Sequence, residues 1–158
     1  MKTLLKFILF LFVVSHQSFA QEENEKKIIP FELVEEAPYL SACKINSIED
    51  KKKCFQDYIN SHIKENFNYP AYAKEFDIQG RVYVSFVIDE SGFVKDIVVK
   101  GEKEGLEVLE EECLKIANKF DAQFLPAIHE GENVAIIFKM PILFKLETGN
   151  SRKGKTKN

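Results

Sequence analysis

Few residues in this chain have the type and spacing for chemistry. They are three cysteines, Cys43, Cys54 and Cys113, two histidines, His62 and His129, and the carboxylate of Asp96. General acid–base work needs two groups set against each other, and no second acid or base is placed opposite Asp96. His62 lies beside the apolar stripe of a helical stretch, with no partner at metal-ligand spacing, and reads as a half-exposed helix residue. His129 stands in a His-Glu-Gly turn and reads as an exposed loop residue. No nucleophile–base pair and no glycine-rich phosphate loop occurs. The expectation is a chain with no catalytic residue, no metal site and no cofactor, and therefore not an enzyme. A net charge of -3 gives no reason to expect nucleic acid as a partner.

What the cysteines do depends on the compartment. Lys2 and Lys6 lead into the apolar run Phe7 to Val14, and Ser18 and Ala20 are the small residues that follow it. This pattern predicts a secretory signal peptide over 1–20, cleaved after Ala20. The alternative is an uncleaved anchor, but the apolar run is short of the roughly 20 residues that span a bilayer as a helix. Export allows disulfides, so Cys43 and Cys54 are expected to pair across a polar turn. Cys113 falls on an apolar helix stripe and reads as a buried, inert thiol. Residues 21–38, acidic at first and broken by Pro30 and Pro38, read as a flexible leader ordered near Phe31 to Val34 at most. Residues 148–158, with Arg152, Lys153, Lys155 and Lys157, read as a disordered basic tail.

The elements between are legible from periodicity. Phe55, Ile59, Ile63 and Phe67 recur every four residues and predict a helix over Asp50 to Phe67, capped by Ser47 or Asp50. With Cys43 and Cys54 it forms an extension over 39–68. Tyr69-Pro70 stops it and starts a short helix to Phe76, and Gly80 is expected to turn the chain. Val82, Val84, Phe86 and Ile88 alternate as a half-buried strand, Asp89 to Gly92 is a tight loop, and Phe93 to Val99 returns with a bulge near Lys95 or Asp96. Leu106, Leu109, Cys113, Ile116 and Phe120 mark a helix over Leu106 to Phe120, with Glu110, Glu111, Glu112 and Lys115 outward and Glu111 paired to Lys115.

The last strand keeps period two from Val134 to Leu146, with Pro141 on the other parity. Proline cannot donate to a ladder, so Pro141 marks an edge strand or a bulge, and if the strand is regular through it the odd-numbered backbone groups face the free edge. Ala135, Ile137 and Leu143 make its second side apolar as well. Such an edge either binds a partner strand or is covered by a terminal segment or the first helix.

Taken together, Tyr69-Pro70-x-x-Ala73, Gly80-x-Val82-x-Val84-x-Phe86, Val87-x-Asp89-x-x-Gly92-x-Val94, the helix from Leu106, Phe124-x-Pro126-Ala127, Gly131 and the final strand resemble, in order and spacing, the C-terminal domain of TonB, over 69–147. The segment with Cys43 and Cys54 resembles what precedes that domain in Bacteroidetes-type relatives. The resemblance implies an α+β fold, helices packed on a three-stranded antiparallel sheet. It also implies a periplasmic module that recognises the box peptide of a TonB-dependent outer-membrane receptor, or another envelope protein, by adding that peptide to the last strand. The strand would be Asn133, Val134, Ala135, Ile136, Ile137, Phe138 and Lys139, with Tyr69 and Pro70 beside the partner. A homodimer through the same edge is a further expectation. A full transducer also keeps an inner-membrane helix and a long proline-rich spacer, which are not evident here, so an inner-membrane motor complex is a partner only if the N-terminus stays as an anchor. One position departs from the family pattern: Ala122 stands where an aromatic usually precedes Phe-x-Pro, and Phe120 lies two residues earlier.

Overall fold

The computed structural model describes residues 27–146. The expected signal peptide, the start of the leader and the basic tail lie outside the described residues. The described chain is α+β, with helices on one face of a four-stranded sheet. In chain order the elements are β1 (Ile29–Pro30), a single 3-10 turn (Phe31–Leu33), α1 (Ile48–Asn66), α2 (Ala71–Glu75), β2 (Gly80–Ile88), β3 (Val94–Gly101), α3 (Glu107–Ala117), β4 (Ala127–His129), β5 (Glu132–Val134) and β6 (Ile136–Phe144). The sheet order is β1-β6-β2-β3, and β4 and β5 form a separate hairpin.

The antiparallel centre follows from the alternation. Val82, Val84, Phe86 and Ile88 of β2 are buried, and they pair across with Ile142, Met140, Phe138 and Ile136 of β6. β2 and β3 join through a loop in which the Asp89 carboxylate accepts from the backbone N–H groups of Ser91 (2.9 Å) and Phe93 (3.1 Å). The expected bulge is in place: the β2–β3 register shifts between Ser85 and Val87, and Asp96 opposite it takes φ 52°.

The sheet has one strand more than the three expected, and it is mixed rather than antiparallel. Ile29 and Pro30 add in parallel beside Ile136 and Ile137, with the Ile29 N–H donating to the Ala135 carbonyl at 2.9 Å. Residues read as a flexible leader are thus part of the fold: Ile29, Phe31, Ala37 and Pro38 are buried. The last strand is also divided. Glu130 (φ 53°) and Gly131 (φ 80°) form a two-residue turn that pairs Glu132 to Val134 back onto β4. The chain then crosses at Ala135 into the main sheet. Unbroken period-two hydrophobicity continued through this crossing, so the pattern could not mark it.

α1 begins in a capping box: the Ser47 hydroxyl accepts from the Asp50 N–H (3.2 Å), and the Asp50 carboxylate accepts from the amides of Asn46 (2.9 Å) and Ser47 (3.1 Å). Those donors, the Asn46 amide foremost, hold the Asp50 carboxyl below its ordinary pKa. The core is largely phenylalanine, in a sequence with fourteen of them and no tryptophan. Phe55 is fully buried against Phe31, Phe124 and Phe138, at 4.9, 5.4 and 5.0 Å between ring centres.

Four local expectations need correction. His62 is buried, not half-exposed: it stacks on Phe120 at 4.2 Å, and its Nε2–H donates to the Ile116 carbonyl at 2.9 Å. It ties α1 to α3. Phe120 lies just beyond α3 and packs on Phe86 at 5.1 Å, so it supplies the aromatic that Ala122 lacks. Glu112 turns inward, and Lys115 lies 3.8 Å from it. Gly80 does not make the turn, which falls at Asp77 with φ 52°. Gly80 is instead a close approach, because a Cβ there would lie 2.9 Å from Leu106 Cδ1.

Candidate functional site

Ladder geometry determines which side of β6 is open. In an antiparallel pair, alternate residues point both backbone groups to the same side. The Ala135 carbonyl points toward β1, so the odd-numbered residues of β6 face away from β2. Pro141 is opposite Tyr83 in a register that runs unbroken from Gly80↔Phe144 to Ile88↔Ile136. Its missing N–H therefore costs the β2 ladder nothing. β1 covers this outer side only at Ile136 and Ile137. Beyond it, Lys139 and Leu143 present an N–H and a C=O each, and Pro141 presents a C=O alone. No strand pairs with them among the described residues.

The structure divides the span expected to bind a partner. Asn133 and Val134 belong to the β4–β5 hairpin, and Ala135 and Ile137 face β1. Ile136 is buried, and Phe138 packs edge-on against Phe31 at 5.0 Å. Only Lys139 is on the open part. Tyr69 packs edge-on against Phe144 at 5.5 Å and donates its hydroxyl proton to the Ile78 carbonyl at 2.8 Å. This places the Tyr69-Pro70 corner at the far end of the same strand. Leu143, 58 % exposed at the C-terminal end of the edge, shares the outward parity of Lys139 but lies outside the span drawn from the sequence, which stopped at Lys139.

Along this edge α1 and β6 enclose a groove of about 430 Å³, with Ile59, Ile63, Phe138 and Met140 as its apolar walls and Gln56 and Asn60 on its rim. The leader that closes the groove's upstream end is braced by an ion pair between Lys51 and Glu36 and by backbone bridges from Glu36 to Ile128 and from Tyr39 to Leu125. It is also joined to α1 by a disulfide between Cys43 and Cys54, with 6.3 Å between their Cα atoms. Closing so short a loop stabilises the fold by roughly 3 kcal/mol on the chain-entropy estimate. Replacing both cysteines with serine is expected to lower unfolding free energy by about that amount, read by denaturant titration with and without reductant. A reductant effect that persists in the double variant would remove the disulfide as its cause.

Nothing at this edge is suited to bond chemistry. Among the described residues no group of His, Cys, Asp and Glu could hold a metal ion. Cys113 is buried, and burial pushes its thiol up to about 12, with Glu112 and Glu110 adding to the shift. It therefore stays protonated and unreactive. What the site offers is a row of backbone donors and acceptors beside an apolar groove.

The family model of the Gram-negative bacterial TonB protein C-terminal region matches residues 65–146, and the chain belongs to that family. The family is non-catalytic and associated with TonB-dependent transport. Its domains act on the periplasmic side of the Gram-negative envelope, in association with outer-membrane receptors. The chain is similar to an NMR solution structure of the Helicobacter pylori TonB C-terminal domain, with 28% identity, a TM-score of 0.44, and 64% of this chain and 84% of that one covered. A shorter segment of the same domain gives 29% identity, a TM-score of 0.37, and coverage of 59% and 95%. None of the curated proteins matches the sequence.

Proposed function

We propose that the chain is an exported periplasmic module that binds an extended segment of an outer-membrane receptor, the box peptide, by strand addition to the outer edge of β6. The observation that carries this reading is the outward parity of Lys139, Pro141 and Leu143 beyond the end of β1. The footprint is thereby shifted from Asn133–Lys139 toward the C-terminal half of the strand, ending at the Tyr69-Pro70 corner. Backbone bonds supply affinity there, and the flanking side chains supply selection. Pro141 leaves the ladder one donor short at its middle, which limits edge-to-edge pairing between copies of the chain.

Lys139→Pro tests the reading, because it removes one of the two remaining outward donors while leaving the β2 ladder whole. A labelled box peptide from a TonB-dependent receptor of the same cell is expected to bind the variant about tenfold more weakly. That loss corresponds to a hydrogen bond removed and its acceptor left unpaired. The unfolding free energy should stay within about 1 kcal/mol of the parent. Equal peptide affinity for the two proteins would sink strand addition at this edge.

A further inference from the structure

The groove beside the open edge has an occupied counterpart one step upstream. After Pro30 leaves the sheet edge, Phe31 inserts its ring between α1 and β6, 4.9 Å from Phe55 and 5.0 Å from Phe138. It is 5% exposed. The chain thus demonstrates, with its own leader, how a segment added to β6 seats a large apolar side chain against α1. Both walls continue past that seat. On α1 the stripe proceeds from Phe55 to Ile59 and Ile63, one helical turn at a time, and on β6 the inward face proceeds from Phe138 to Met140. These four residues beyond Phe55 wall the groove of about 430 Å³, room for one or two large side chains.

We infer that this groove is the side-chain selection site for the added strand, and that it takes an aromatic or branched apolar residue of an extended partner peptide. The inference rests on the strand-addition reading and adds the partner's chemistry to it. An added strand sends alternate side chains inward. Those facing α1 meet Ile59, Ile63 and Met140, with Pro141 at the groove's margin, and those facing outward lie beside the exposed side chains of Lys139 and Leu143. The new strand also gains an outer edge of its own. Gln56 and Asn60, the amide side chains on the α1 rim, can donate to and accept from that edge where a carboxylate or ammonium could do only one. A charged side chain in the groove would lose water and find no counter-charge among these residues. All of the α1 wall precedes residue 65, where the family match begins. Selection is therefore supplied by the disulfide-linked extension, while the ladder is supplied by the family domain.

The test uses the full chain and two labelled synthetic probes, acetyl-Thr-Ser-Thr-Phe-Thr-Ser-Thr-amide and the same peptide with serine in place of phenylalanine, so that only the first carries an apolar residue on the inward face. The parent is expected to prefer the phenylalanine probe by about tenfold or more, the effect of burying one large apolar side chain. Asn60→Trp, at an exposed rim position, should cover the groove and bring that preference, read as the ratio of the two affinities, close to one. Lys139→Pro should weaken both probes alike. A preference that survives Asn60→Trp overturns the groove as the selection site. Equal binding of the two probes to the parent does the same and leaves strand addition standing. If neither probe binds, or if Lys139→Pro changes nothing, strand addition fails and the groove assignment fails with it.

Discussion

Phe55→Ala is expected to lower the free energy of unfolding by about 4 kcal/mol, within the 3 to 5 kcal/mol typical of removing a fully buried phenylalanine. Phe55 is 0% exposed and touches three other rings, each from a different part of the chain: Phe31 from the leader, Phe124 from the loop after α3, and Phe138 from β6. Those neighbours are held by separate backbone anchors, so they cannot all move in to fill the space. The loss should also be uneven. Phe31 depends on Phe55 for one side of its seat, and β1 makes only two register pairs with β6. The Ile29 amide, bonded to the Ala135 carbonyl, should therefore exchange with solvent far sooner in the variant, while amides of β2 retain protection up to the lowered global stability. Denaturant titration at constant slope measures the first effect, and native-state hydrogen exchange the second. A loss under about 1 kcal/mol would mean that the ring cluster repacks and that Phe55 is not what seats the leader on α1.

Gly92→Ala is expected to cost at least as much, for a different reason. Gly92 has φ +85°, a conformation that costs an L side chain roughly 1–2 kcal/mol. Its Phe124 N–H to Gly92 carbonyl bond, 3.0 Å, also draws the two backbones together, and a Cβ on Gly92 would overlap the Phe124 carbonyl. Backbone cannot rotate aside as a side chain can. The tip of the β2–β3 hairpin or the Phe124 segment must shift, and Phe124 is 2% exposed in the core. Gly105 provides the control, since it has φ +83° but nothing within 4 Å of its would-be Cβ. Gly105→Ala should show the dihedral cost alone. The two variants are expected to differ by about 2 kcal/mol or more in chemical denaturation. Equal losses would show that the contact with Phe124 is not felt.

Much of the molecule was readable in order along the chain. β2, the turn at Gly92, the bulge at Asp96, α1 with its Ser47 cap and α3 each announce themselves within a dozen residues, because amphipathic period and turn chemistry are local. The outward parity of Pro141 was equally local, since proline's missing donor restricts which side of a strand it can face. His62 shows where this stops. Its neighbours in sequence mark a helix boundary between apolar and polar faces, but the Phe120 ring and the Ile116 carbonyl that bury it come from more than fifty positions away.

The α+β class, the central β2–β6 alternation and the edge character of the last strand all follow from local pattern. Family membership could also be recognised from the order of its motifs. How much of that edge is open depends on long-range packing. The pairing of Ile29 and Pro30 with Ile136 and Ile137, and the crossing at Ala135 from one sheet to the other, leave no periodic trace. A two-residue strand is too short to show a period, and a chain that stays apolar through a crossing gives no signal of it. Both are held by contacts between segments about a hundred residues apart, with Phe31 seated on Phe138 and Glu36 bridged to Ile128.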